Sequence, residues 1–200
     1  MARRGRPRGT DSAQTRQRIV DVARAQFAKS GYAATAIATI ATEADLAPSA
    51  VYHYFGGKAE LYETVFEDTA NAIWSDLGVA ARSHDTLRAN LVQMVEDSRD
   101  LNDNRPHYSD FLALVPMEAR LHPEFAHLLD RRSKYQDDTF GALAEIGIRS
   151  GELPGLELAE ATEMLRVSIM GWFFERHFRG EEMPGSGDAL LRLFEILADR

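Results

Sequence analysis

Residues 35–55 constrain the fold more than any other stretch, because they contain two short helical patterns separated by a tight turn. Apolar residues recur at helical spacing over 37–44 and again over 48–55, where Gly56 ends the pattern. Two short helices joined by a turn of roughly three or four residues form a helix-turn-helix unit. The apolar residues predicted to form its core are Ile37, Ile40, Val51 and Phe55.

The remainder of the chain is predicted to be helical as well, because apolar residues recur at steps of roughly three and four along it. A first helix begins at a cap at Asp11 or Ser12 and ends at Gly31, and a longer one begins at Lys58. Further helices are predicted from Leu87 to a polar break at 102–106, from Tyr108 to His122 with an interruption at Pro116, and over 123–151, 157–178 and 188–198. No stretch alternates polar and apolar residues as a strand does, so the predicted fold class is all-α.

Charge is distributed unevenly along the chain. The net charge is -8, yet residues 1–60 hold nine Lys and Arg against five Asp and Glu, or +4, and residues 61–200 hold fourteen against twenty-six, or -12. A positive segment on an otherwise negative protein suits binding to a polyanion through one end only. We therefore expect contact with DNA to be confined to residues 1–60.

Composition argues against several other classes of protein. The chain has no cysteine, so neither a disulfide nor a thiolate metal site can form. It has no apolar stretch of the roughly 18 residues that a membrane span needs, no Gly-rich phosphate loop and no Ser-His-Asp motif context. We expect a cytoplasmic protein that does not associate with membranes and has no cofactor, no metal and no catalytic residues.

Residues 35–61 read TAIATIATEADLAPSAVYHYFGGKAEL, which resembles the DNA-binding signature of the TetR family of transcriptional regulators. The agreeing positions are Ile40-Ala41, Val51, Tyr52-His53-Tyr54-Phe55, Lys58 and Leu61. Two positions in the turn depart from the signature, since Asp45 stands where glycine is common and Ala47 where a capping serine is common. Aspartate can adopt the left-handed backbone at some cost, and Pro48 preorganises the start of the next helix, so we expect the turn to form.

The resemblance implies a disordered basic arm (1–10), a three-helix DNA-binding domain (11–57) and a larger helical domain for ligand binding and dimerisation (58–200). It also implies a homodimer that binds a palindromic operator in double-stranded DNA and, as a repressor, is released by a small-molecule effector. Two recognition helices would then lie about 34–36 Å apart, which is about one turn of DNA. The predicted dimer interface is the last two helices, with apolar faces at Met170-Gly171-Trp172-Phe173-Phe174 and at Leu190, Leu191, Leu193 and Phe194.

The second helix of a helix-turn-helix unit presents its N-terminal part to base edges in the major groove, while flanking groups hold phosphates. Ser49 can exchange hydrogen bonds with a base, Ala50 can pack on a thymine methyl group, and His53 can hydrogen-bond a purine. The candidates for DNA contact on this helix are Pro48, Ser49, Ala50, Tyr52 and His53. The candidates for phosphate contact are Thr35, Tyr54 and Lys58.

The N-terminal arm contains Arg4, Arg6 and Arg8 among Gly and Pro, with almost no apolar side chain, so it is predicted to be disordered. These arginines suit insertion into a narrow A·T-rich minor groove, where negative potential is concentrated. A solvated tail that binds phosphates without sequence preference explains the same residues equally well.

Bulky and polarisable side chains are numerous in the second domain, and helical bundles commonly enclose an apolar ligand cavity. The candidates for lining such a pocket are Trp74, Met94, Tyr108, Phe111, Met117, Phe140, Met170, Phe173 and Phe174. Taken singly, each is better explained by an ordinary core, so only the set, with the resemblance, predicts a pocket. The same stretches contain the charged residues Asp110, Glu118, Glu175 and His177. Polar contacts with a ligand, exposure at the surface and ion pairs in a dimer explain them equally well.

Two other classes of function were weighed. A metal-dependent enzyme would have only Glu118 and His122, four residues apart, as a candidate ligand pair, and two ligands make a weak site. A ligand-independent architectural DNA-binding protein is favoured by the basic arm alone, and the acidic second part argues against it. Sequence-specific DNA binding that a small molecule releases fits only the regulator.

Overall fold

The computed structural model describes residues 8–105, 107–178 and 185–198. Within these ranges the chain forms nine α-helices and a short 3-10 helix and contains no strand, which confirms the all-α fold class. The helices are Arg8–Ala34 (α1), Ile37–Glu43 (α2), Pro48–Phe55 (α3), Lys58–Ala80 (α4), Leu87–Asn104 (α5), Tyr108–Leu121 (α6), Ala126–Arg149 (α7), Leu158–Phe178 (α8) and Ser186–Ala198 (α9), with the 3-10 helix Pro123–Phe125 before α7.

Helices α1 to α3 form an N-terminal bundle. Ile19 of α1, Ile40 of α2 and Val51 of α3 are at most 1% exposed, and Ile37 and Phe55 are also buried. Removal of these apolar side chains from water is what holds three such short helices together. The predicted core of the helix-turn-helix unit is confirmed.

Helix α4 connects this bundle to the second domain, because it packs against α1 on one side and α7 on the other. Helices α7 and α8 pack along each other, and α9 packs against α5 and α8. Helix α6 packs against α1 as well as α7, so the two domains meet along two helices. No helix in the part of the chain that the structure describes is long and apolar enough to cross a membrane.

Helix α1 begins at Arg8, earlier than the predicted cap at Asp11 or Ser12. The helix thus includes Gly9, a residue of low helix propensity, in its first turn. Near the other end, Gly31 has φ 72° and ψ 174°, which breaks the helical backbone where the sequence predicted the helix to end.

Helix α6 runs through Pro116 without the predicted interruption. A proline inside a helix removes one backbone hydrogen bond and costs about 3 kcal/mol. Buried side chains on both sides of it, Phe111, Leu112, Val115 and Ala119, hold the helix against its neighbours and offset that cost. The next α-helix begins at Ala126 rather than at Pro123, because the residues from Pro123 form the 3-10 turn first.

Candidate nucleic-acid interface and ligand cavity

The turn between α2 and α3 is built on a left-handed residue. Asp45 has φ 55°, as expected at a position where glycine is common. The N–H of Leu46 then donates to the carbonyl oxygen of Ala41 at 2.8 Å. Ala47 precedes α3 with an extended backbone and no side-chain cap, and Pro48 begins the helix.

Helix α3 is anchored on one side and accessible on the other. Val51 and Phe55 are 1% and 6% exposed and pack into the bundle. The predicted DNA-contact residues Pro48, Ser49, Tyr52 and His53 are all exposed, and Ala50 and Tyr54 are half-buried. Because one side of α3 is buried and the other is exposed, its N-terminal face can approach another molecule without unpacking the bundle.

Thr35 and Lys58 were predicted to contact phosphates and are instead engaged inside the protein. Thr35 is 3% exposed, and its Oγ1 donates to the carbonyl oxygen of Gly31 at 2.7 Å. Lys58 Nζ donates to the carbonyl oxygens of Tyr32, Ala33 and Thr35 at 2.8, 3.2 and 3.0 Å. The end of a helix leaves carbonyl oxygens without partners, and an ammonium group with its several donors satisfies them here. In this structure both residues make structural contacts of the α1–α2 connection, and their contacts with phosphates stay predictions.

The basic residues near α3 differ from those predicted. Arg4 and Arg6 lie outside the described residues, and Arg8 is the first residue of α1. Arg16, which the sequence analysis did not single out, is exposed on α1 with its guanidinium carbon 5.0 Å from the centre of the Phe55 ring. Its spacing of three residues from buried Ile19 could have placed it at the edge of the bundle, beside α3.

The DNA-binding domain is tied to the second domain at Tyr32. The N–H of Tyr32 donates to Glu118 Oε1 of α6 at 2.9 Å. The preceding Gly31 has φ 72°, which favours glycine, and a Cβ there would lie 2.5 Å from the same oxygen, so the Glu118 carboxylate would have to shift. Glu118 is 8% exposed, and its Oε2 lies 3.6 Å from His122 Nε2. The pair weighed as metal ligands thus contacts the end of α1, and the described residues contain no group of three potential metal ligands.

Buried aromatic rings fill the space behind this contact. The ring of Tyr62 stacks on Phe125 with centroids 4.6 Å apart and contacts Phe111 at 5.2 Å. Its hydroxyl is buried and has no hydrogen-bond partner among the described residues. Burial, and next the negative charge of Glu118, raise the pKa of Tyr62 above the ordinary range of a tyrosine.

A second contact between the domains surrounds Arg24 of α1. Its side chain is 3% exposed, its Nε donates to Thr69 Oγ1 at 2.9 Å, and its guanidinium forms an ion pair with Asp68 of α4. The guanidinium carbon lies 3.8 Å from the centre of the Tyr108 ring, at the start of α6. The guanidinium carbon of Arg105 lies 5.9 Å from the centre of the same Tyr108 ring.

A cavity of about 400 Å³ lies in the second domain between α4, α5, α7 and α8. It is within the range of small-molecule sites in proteins. Its lining residues are Ile73, Trp74, Asp76, Leu77, Met94, Asp97, Ser98, Asn104, Arg105, Phe140, Ile169, Met170, Trp172 and Phe173. The predicted pocket residues that the structure brings together here are Trp74, Met94, Phe140, Met170 and Phe173.

The other four predicted pocket residues lie elsewhere, which corrects their assignment. Tyr108 packs beneath Arg24, and Phe111 is 1% exposed in the aromatic cluster, because this side of α6 faces α1 and not the cavity. Met117 is 51% exposed on α6. The ring of Phe174 lies 5.3 Å from the guanidinium carbon of Arg132 on α7.

The polar residues of the cavity were missed by the sequence analysis. Arg105 Nη1 lies 2.6 Å from Asp76 Oδ2 and donates to the carbonyl oxygen of Ala72 at 3.2 Å. Asp97 Oδ1 accepts a hydrogen bond from the side-chain amide of Gln93 at 2.8 Å. Spacing could have found Asp97, since it follows Met94 by three residues on the same face of α5.

Part of the predicted dimer surface is used within the protomer. Met170, Trp172 and Phe173 line the cavity, and Leu190 and Phe194 are each 6% exposed because α9 packs against α5 and α8. Leu193 remains 44% exposed. Other large apolar side chains left exposed on these two helices are Leu158, Val167 and Ile196.

This arrangement, a helix-turn-helix unit with an accessible second helix followed by a helical domain around a cavity, defines a helix-turn-helix regulator. Residues 19–65 match the family described as bacterial regulatory proteins, tetR family. The N-terminal bundle is therefore similar to the DNA-binding domain of TetR-family regulators. The resemblance noted in the sequence is confirmed.

Solved structures of this family have the same fold along nearly the whole chain. A TetR-family regulator from Agrobacterium tumefaciens is 16% identical, with a TM-score of 0.77 over 92% of this chain and 98% of its own. One from Chloroflexus aurantiacus J-10-FL is 21% identical, with a TM-score of 0.71 over 95% of each chain. The regulator FadR from Bacillus subtilis, in complex with stearoyl-CoA, is 20% identical, with a TM-score of 0.72 over 89% and 96%. A comparison with curated proteins finds no match.

Proposed function

We propose that this protein is a homodimeric repressor that binds a palindromic operator through α3 and releases it when a small molecule occupies the cavity. The course of α4 is the observation that carries the proposal. Its first residue, Lys58, holds the α1–α2 connection, and Trp74 and Leu77 of the same helix line the cavity. Residues 58–74 of a helix span about 24 Å. One helix thus joins the DNA-binding bundle to the ligand cavity.

On the DNA side, the exposed face of α3 enters the major groove, with Ser49, Ala50, Tyr52 and His53 at base edges. Tyr54 and Arg16 lie at the sides of α3 and contact phosphates, which fix the orientation of the helix without reading sequence. The arginines of residues 1–8 add affinity through phosphates or the minor groove.

Dimerisation through α8 and α9 places two copies of α3 on one face of the dimer. Val167, Leu193 and Ile196 are 64%, 44% and 47% exposed and are not needed for the packing of the protomer. Burial of such side chains against a second copy would remove them from water, and a two-fold axis pairs each face with itself. The operator is then two half-sites about one DNA turn apart.

Ligand binding lowers operator affinity only if the ligand binds more tightly to the conformation that does not fit DNA. Two sets of contacts between the cavity and the DNA-binding bundle can carry that difference. Arg105 lines the cavity and lies near the Tyr108 ring, whose other neighbour is Arg24 of α1. Trp74 and Leu77 also line the cavity, and they belong to α4 itself. That FadR of the same fold is in complex with stearoyl-CoA supports the binding of a small molecule.

The test is selection of genome fragments by the purified protein at two salt concentrations, followed by sequencing of the retained DNA. We expect one palindromic site, with half-sites about one turn apart, to persist at the higher salt. Retention of fragments without a shared sequence, lost at the higher salt, would favour the architectural DNA-binding protein instead. The selected operator then serves to score small molecules by release.

A further inference from the structure

We infer that the cavity binds a lipophilic organic cation, a molecule with a bulky, ring-containing body and one positive charge. The inference rests on the proposed function, since it names the chemical class of the effector. Two observations carry it. Aromatic rings form much of the lining, and the carboxylates among the described lining residues outnumber the basic groups.

The apolar part of the lining is unusually aromatic. Trp74, Trp172, Phe140 and Phe173 all contribute to it, and Trp74 and Phe140 meet edge to face with ring centroids 6.1 Å apart. Faces of aromatic rings, indoles above all, attract cations. Met94 and Met170 add polarisable sulfur to the same surface, which adapts to irregular shapes. The lining therefore favours a flat apolar body and tolerates a positive charge on it.

Among the residues that the structure describes, the charged part of the lining has a net negative charge. Its members are Asp76, Asp97 and Arg105. Arg105 lies 2.6 Å from Asp76, so these two charges neutralise each other. Asp97 accepts a hydrogen bond from the neutral amide of Gln93 and is left with its charge uncompensated by any basic residue of the lining. A ligand cation beside Asp97 would complete a charge pair in a partly desolvated site.

An anionic ligand fits the same residues poorly. Its carboxylate would have to share Arg105 with Asp76, which already lies 2.6 Å from Nη1, and would stand beside that like charge. Arg132 contacts the Met170 sulfur, but it lies outside the lining and over the Phe174 ring. Charge complementarity thus favours a positively charged ligand.

The test uses three probes that share a naphthyl-propyl body and carry a trimethylammonium, a hydroxyl or a carboxylate group. Both tryptophans of the chain, Trp74 and Trp172, line the cavity, so quenching of tryptophan fluorescence reports its occupancy without a label. Calorimetry supplies the affinities independently. We expect the cation to bind about tenfold more tightly than the alcohol, and the carboxylate to bind more weakly than either. Equal affinities, or tightest binding of the carboxylate, would overturn the inference, as would no binding of the cation.

The variant Asp97→Asn keeps the shape of the side chain and removes its charge. We expect the affinity of this variant for the cation to fall to the affinity of the parent for the alcohol. Its own affinity for the alcohol should be unchanged. The matched control is Glu96→Gln, an exposed neighbour on the same helix outside the lining, which should keep the cation preference. Full cation preference in Asp97→Asn would contradict the assignment.

Operator binding in the same preparation separates this inference from the proposed function. Tight binding of the cation without release of a selected operator leaves the ligand class in place and contradicts ligand-released repression. Release of the operator by the carboxylate probe alone would support regulation and overturn the ligand class.

Discussion

The guanidinium carbon of Arg24 lies 3.8 Å from the centre of the Tyr108 ring, so a charged side chain of the DNA-binding domain is packed against the first residue of α6. The same guanidinium forms ion pairs with Asp21 and Asp68. If α6 moves away, the cation keeps its carboxylates on α1 and α4 but loses its contact with the aromatic face of Tyr108. This arrangement couples the packing of the two domains.

Replacing Arg24 with methionine should destabilise the protein by about 2–3 kcal/mol. Removal of one partner of a fully buried ion pair costs roughly 3–5 kcal/mol, and the partial exposure of Asp68 and Asp21 to solvent reduces that value here. Urea unfolding monitored by circular dichroism measures the change. Arg18→Met, an exposed site on the same helix, is the control and should change the free energy of unfolding by less than about 0.5 kcal/mol. Equal effects of the two substitutions would show that the Arg24 contacts contribute nothing.

Lys58→Met should weaken operator binding without changing its dependence on salt. The ammonium of Lys58 donates to three carbonyl oxygens of the protein, so its loss loosens the α1–α2 connection, at about 1–3 kcal/mol of stability. Loss of a phosphate contact would instead lower the salt slope by about one. Titration of the selected operator at several salt concentrations distinguishes the two. Lys134→Met, exposed on α7, controls for the loss of a positive charge.

Tyr52→Ala should lower operator affinity by about 1–3 kcal/mol and leave the fold intact. The side chain is 53% exposed on α3, so truncation removes little buried surface from the protomer. Thermal unfolding of the variant provides the control, and its midpoint should match that of the parent. Parent-like affinity for the operator would mean that the exposed face of α3 does not read DNA.

The DNA-binding bundle could be predicted from the sequence because its signals are local. Helix periodicity, Gly56 and Pro48 mark the ends of α3, and the buried residues Val51 and Phe55 follow from their spacing alone. The left-handed Asp45 could be predicted in the same way, since the resemblance places glycine there. Each of these features depends on residues within one or two helical turns.

The role of Lys58 could not be predicted in this way, because it depends on which oxygens the tertiary fold brings near the ammonium group. Tyr32 and Lys58 are 26 residues apart, and nothing in either segment indicates that α1 ends beside the start of α4. The same holds for the α6 residues predicted to line the pocket. Periodicity identifies Phe111 as buried but does not say whether it faces α1 or the cavity.

Ile196→Arg should shift the proposed dimer towards monomers and weaken operator binding with it. Ile196 is 47% exposed on α9, so arginine is tolerated in the monomer, whereas a two-fold interface would place two such charges in an apolar contact. Analytical ultracentrifugation measures the association. The matched control is Val79→Arg at the end of α4, where the parent side chain is 68% exposed, and this variant should remain dimeric. Unchanged association of Ile196→Arg would place the interface elsewhere.

Tyr62→Phe should make the protein less sensitive to alkaline unfolding. Burial and the charge of Glu118 raise the pKa of Tyr62 in the folded protein, because both disfavour the phenolate. A folded pKa above the unfolded value of about 10 means that the contribution to stability is complete below that pH and is lost as pH rises towards the folded pKa. Phenylalanine has no proton to lose, so its free energy of unfolding should fall less steeply above about pH 10.

Near neutral pH the same substitution is expected to be neutral or slightly stabilising. The Tyr62 hydroxyl is buried without a hydrogen-bond partner among the described residues, and removing an unsatisfied buried group relieves its desolvation cost of about 1 kcal/mol or more. Urea unfolding of parent and variant at a series of pH values measures both effects in one experiment. Parallel curves above about pH 10 would mean that Tyr62 ionises in the folded protein as readily as in the unfolded chain. A loss of stability at neutral pH would instead mean that the hydroxyl has a partner, such as a bound water, that compensates for its burial.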